Sequence, residues 1–166
     1  TEGLAALAGS LGASFIKALD ILQSVKGRVV VTGMGALAPN GNTVPKYWNS
    51  LVSGKSGIDY ITYFDTTDFP VKIAGEISNF NPEDHFERKE VRKLDPFSIY
   101  ALVACNEAVQ MAGLDSYSFD HNRAGVMIGC GIGGINTLLH EHDVLNNSGA
   151  RRISPFFVTK LIVNIA

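Results

Sequence analysis

Two short apolar runs constrain this fold more than any other feature: RVVVT at 28–32 and AGVMIGC at 124–130. Runs of this length and composition predict strands buried on both faces of a largely parallel sheet. Each is followed by a glycine-containing turn, GMGALAPNGN after the first and GIGG after the second. A helical pattern begins after each turn. Thr43 is placed to cap a helix running to about Val52, with Pro45 tolerated in its first turn. Asp95 and Pro96 open a longer helix that runs to about Ala112 and is closed by Gly113. A further helix is expected from about Ile135 to Asn147, and a short strand at VKIAGEI (71–77). Residues 1–27 read as one amphipathic helix, because Leu4, Leu7, Leu11, Phe15, Leu19 and Leu22 recur at three- and four-residue steps before Gly27. The alternation of helix and strand predicts an α/β layered domain.

Charge and cysteine content narrow the function. A formal net charge of −2 argues against nucleic-acid binding by bulk electrostatics, so any cationic surface must be local. No run of 18 apolar residues predicts a membrane span. Cys105 and Cys130 have neither zinc-type spacing nor a disulfide framework, which fits a reduced cytoplasmic protein.

Several residues invite chemistry that their context does not support. VTGMGALAPNG follows a strand pattern but lacks the third glycine of the dinucleotide fingerprint, and no acidic residue ends a second strand about 20 residues on. A tight turn is the expected role, and no cofactor is expected. Cys130 follows a strand pattern, where free cysteine usually packs as a small hydrophobe. His140 and His142 are two apart, so on a helix they face different directions, and no metal site is expected.

From Arg28 to Ala166 the chain resembles a known family, the β-ketoacyl-ACP synthases of type II. The likeness rests on RVVVTGMGALAPNGNTV, LVSGKSGID, FDTTDFPVKIAGEI, RKEVRKLDPFSIYA, GVMIGCGIGG and RRISPFFVTKLIVNIA, in order and at family spacing. It implies a thiolase-like fold, of which this chain would be an incomplete N-terminal half of a five-layered αβαβα sandwich. It also implies a decarboxylating Claisen condensation of an acyl thioester with malonyl-ACP. The family's nucleophilic cysteine and two histidines would lie beyond residue 166, so no catalytic residue is assigned here. Lys89, Arg92 and Lys93 match a basic segment that in the family faces the acidic acyl carrier protein, and Arg151 and Arg152 match a second. On composition alone such clusters read as solvated helix ends. Ile132 matches an acyl-pocket gate. Ile153 and Phe157 match residues that line the partner subunit's pocket across a homodimer interface. Core packing is the competing reading for these three.

Residues 1–35 resemble instead the start of an arabinose-5-phosphate isomerase with a SIS domain. Ala36, Leu37 and Ala38 stand where that family has a Lys-Ser-Gly phosphate turn. The shared RVVVTGMG stretch then reads as the join of a chimera: an extra helix over 1–27 and a truncated synthase domain over 28–166. The alternatives to a synthase fragment are a sugar-phosphate isomerase or SIS-type sugar-binding module, and a non-catalytic partner resembling chain-length factors. The apolar end, VTKLIVNIA, reads as a cut within a continuing pattern. Apolar faces left uncovered predict self-association.

Overall fold

The computed structural model describes residues 29–165, and the helix expected over 1–27 lies outside them. The chain divides into two units, residues 1–31 and 32–166. Of the first, only Val29, Val30 and Val31 are described; they form no regular element and are exposed.

In the second unit, α1 (Val44–Val52) begins as expected, with the Thr43 hydroxyl accepting from Lys46 N–H and Pro45 in its first turn. A two-residue antiparallel ladder follows, β1 (Asp59–Tyr60) against β2 (Ile73–Ala74). The short helix α2 (Arg88–Val91) leads to the long helix α3 (Pro96–Ala112), then α4 (Ile135–Ser148) and α5 (Phe157–Leu161). α3 stops at Gly113, whose φ of 67° is the left-handed conformation that favours glycine.

The centre of the unit is one face of α3. Ile99 and Val103, a helical turn apart, are 3% and 7% exposed. Burying each contributes about 1.5–3 kcal/mol. Glu107 continues this row, and its carboxylate accepts from Ala36 N–H at 2.9 Å and Val44 N–H at 2.8 Å. It thereby joins the glycine turn and the first residue of α1 to α3. The neighbouring row is small: Ala104, Ala108 and Ala112. A Cβ on Gly35 would run into the Ala104 carbonyl, and one on Gly33 into the Ala108 carbonyl. The GMG glycines therefore let one backbone lie directly on a helix. This adds close packing to the tight turn expected from the sequence.

The strands differ from expectation. Residues 29–32 and 124–130 carry no strand, and 71–77 is reduced to Ile73–Ala74. Val126 and Met127 are 87% and 99% exposed. Among the described residues, no backbone hydrogen bond joins 125–132 to a neighbouring segment. A helix satisfies its own backbone, whereas a strand exists only beside a partner. The capped helices therefore form as expected, and the apolar runs have no ladder to join.

Candidate functional site

The first basic segment is built on α2. Glu87 precedes the helix without a side-chain cap, and Arg92 follows it as the C-cap. Lys89, Arg92 and Lys93 are all exposed. They cluster around the helix C-terminus, where the macrodipole favours positive charge. Arg88 is turned to Glu83 at 3.7 Å in an exposed ion pair of small energetic weight. Among the described residues, Lys89, Arg92 and Lys93 form no such pair. A pocket of about 290 Å3 adjoins them, lined by Phe86, Glu90, Lys93, Leu94 and Leu102. A larger polar groove, of about 750 Å3, runs past Lys46, Asn49, Lys55 and Glu76 and contains none of the expected site residues.

The second basic segment is the 3-10 turn Ala150–Arg152, which follows α4 directly. Arg151 and Arg152 are exposed and, among the described residues, unpaired. The chain then passes half-buried Ile153 and Ser154 into α5, where Phe157 is half-buried. Ile132, in contrast, is 72% exposed on the loop before α4. That loop is held against the far end of α5, because Gly134 N–H donates to Leu161 C=O at 3.1 Å. Neither groove is lined by Ile132, Ile153 or Phe157.

Two buried carboxylates organise these segments. Asp95 is 5% exposed and lies between α3 and α4. One oxygen accepts from Phe97 N–H at 3.4 Å, and the other from the Thr137 hydroxyl at 2.5 Å. Glu141, 8% exposed, accepts from Ser154 N–H at 2.9 Å and so ties α4 to the chain leaving the arginine turn. Asp95 stands out in the sequence as a helix opener, whereas Glu141 and Glu107 become prominent only in the structure. The available signal for Glu107 was an acid inside the apolar stretch ALVACNEAVQMA.

Cys130 is half-buried and accepts from Gly133 N–H at 3.2 Å, a contact within its own loop. His142 approaches Asn146 and Asp143 on the exposed face of α4. Among the described residues no group of three or more His, Cys, Asp or Glu side chains converges on a metal position, and no helix is long and apolar enough to cross a membrane.

Known proteins resemble the chain over the same stretch. A family model described as the beta-ketoacyl synthase N-terminal domain matches residues 26–166. The 3-oxoacyl-[acyl-carrier-protein] synthase 2 of Staphylococcus aureus is 50% identical over 139 residues, covering 84% of this chain and 34% of that protein. Among solved structures, a ketosynthase in complex with its type II polyketide acyl-carrier protein aligns with a TM-score of 0.67 at 27% identity. It covers 84% of this chain and 36% of its own. The ishigamide ketosynthase/chain length factor aligns at 0.61 with 25% identity, covering 82% and 34%. The chain thus spans about a third of the length of the curated relatives it matches. The isomerase likeness of residues 1–35 finds no support among these matches. The fold is the N-terminal portion of the thiolase-like α/β architecture, and the chain belongs to the beta-ketoacyl synthase family.

Proposed function

We propose that this chain is the N-terminal portion of a 3-oxoacyl-ACP synthase, an acyltransferase that condenses an acyl thioester with malonyl-ACP and releases carbon dioxide. The observation that carries this reading is the 50% identity to the Staphylococcus aureus synthase. That relative is named as a synthase, which favours this reading over a non-catalytic partner.

In this reading Lys89, Arg92, Lys93, Arg151 and Arg152 receive the acidic carrier protein. Exposed and unpaired cations steer an acidic partner even on a chain with net charge −2. Ile132 gates the acyl chain, and Ile153 and Phe157 line the pocket of the second subunit of a homodimer. The nucleophilic cysteine forms the acyl thioester and two histidines assist decarboxylation. In this reading all three come from the remainder of the enzyme's length.

The test is a segment exchange. Residues 28–166 replace the matching segment of the Staphylococcus aureus synthase, and condensation of acyl-ACP with malonyl-ACP is measured. The hybrid is expected to condense and the isolated chain is not. A folded, dimeric hybrid that accepts an acyl group on its cysteine yet makes no product would refute the reading.

A further inference from the structure

The arginine turn is held at both ends, and its two anchors differ in chemistry. At its start Gly149 has φ 83°, and its N–H donates to Leu145 C=O at 3.1 Å, which binds the turn to the end of α4. Within the turn, Arg152 N–H donates to Gly149 C=O at 3.0 Å and Ile153 N–H to Ala150 C=O at 3.3 Å. At its exit the anchor is a side chain: the Glu141 carboxylate accepts Ser154 N–H at 2.9 Å. Ser154 lies two residues after Arg152. Its hydroxyl in turn accepts from Phe156 N–H at 3.2 Å, and Phe156 is the N-cap of α5.

A carboxylate that is 8% exposed in mid-helix is costly unless a donor compensates it. An apolar residue could pack α4 against the following chain without that cost. What the acid adds is a fixed direction for the backbone that carries Arg151 and Arg152. Long cationic side chains on a wandering turn lose entropy when they bind, and a fixed turn avoids much of that loss.

We propose that Glu141 is a positioning residue for carrier docking, holding the Arg151–Arg152 turn in the conformation that presents both guanidinium groups to an acidic partner. The inference rests on the carrier-docking reading of these arginines. Glu141 itself touches neither partner nor substrate.

The experiment titrates phosphopantetheinylated bacterial acyl carrier protein against the full 166-residue chain and its variants, at several salt concentrations. Glu141→Ala is expected to weaken binding by about tenfold and to flatten its salt dependence, the same outcome expected of R151A/R152A. Glu141→Gln keeps an oxygen acceptor for Ser154 N–H and is expected to bind within about twofold of the unaltered chain. Ser154→Pro removes the donor, and with it the hydroxyl that accepts Phe156 N–H, while leaving the acid, and is expected to behave like Glu141→Ala. It keeps the test decisive if Glu141→Ala does not fold. A merely structural role would move thermal stability without this split between the Gln and Ala variants. If R151A/R152A weakens binding about tenfold while folded Glu141→Ala and Ser154→Pro bind like the unaltered chain, the positioning role is overturned and the docking reading stands. If the unaltered chain does not bind the carrier, both fall together.

Discussion

Replacing Asp95 by alanine tests whether one carboxylate joins the two principal helices. The side chain is 5% exposed and its oxygens are divided between elements. The bond from Phe97 N–H is long at 3.4 Å, so the cap itself is weak, and its loss costs about 0.5–1 kcal/mol. The bond from the Thr137 hydroxyl is short at 2.5 Å and charge-assisted. Losing it and leaving the half-buried hydroxyl without its acceptor costs about 1.5–3 kcal/mol. The total is about 2–4 kcal/mol, a large part of the roughly 5–15 kcal/mol of a stable domain. Urea unfolding followed by far-UV circular dichroism measures it. Asp95→Asn is expected to lose less, because its amide oxygen keeps the Phe97 cap and its NH2 donates to Thr137. Thr137→Val alone and combined with Asp95→Ala closes a double-mutant cycle, with an expected coupling of about 1–2 kcal/mol. A coupling near zero, with Asp95→Ala costing under about 0.5 kcal/mol, would refute the bridge.

Gly35→Ala places a methyl against the Ala104 carbonyl, and is expected to cost about 1–3 kcal/mol in thermal or urea unfolding. Burial, followed by the neighbouring Tyr63 hydroxyl, pushes the Tyr100 phenol from its ordinary 10.0 up to about 12. Its contribution to stability is therefore complete below pH 10 and lost as pH rises toward 12, which ultraviolet titration with circular dichroism would follow. The Thr62 hydroxyl, donating to Glu76 at 2.7 Å, is the main reason that carboxyl sits below its ordinary 4.5. Thr62→Val should raise it in an NMR titration. The stability difference between the two proteins should be present above pH 4.5 and vanish as pH falls through the lowered value. Reversing the charges of Lys89, Arg92 and Lys93 should weaken carrier binding and reduce its salt dependence while leaving helix content unchanged, and unaltered binding would remove that segment from the docking surface.

Local signals in the sequence foretold the elements whose stability is itself local. Thr43 with Pro45 fixed the start of α1, and Asp95, Pro96 and Gly113 bounded α3 to the residue. The site was legible only through family likeness. Lys89, Arg92, Lys93, Arg151 and Arg152 are exposed cations like many others, and nothing in their composition names a partner. Glu141 does not stand out in the sequence, because periodicity does not reveal which helix face a later segment will cover.

The amino-acid sequence by itself determined α1, α3 and α4, the N-caps of α1 and α3, and the family, since these follow from residues within one or two turns or from ordered motifs along 139 positions. Only the tertiary structure decided that the GMG glycines lie on the alanine row of α3, that Asp95 bridges two helices, and that Glu141 holds Ser154. It also decided that RVVVT, over its described residues, and AGVMIGC form no strand, because a strand depends on a neighbour and a helix carries its hydrogen bonds within itself.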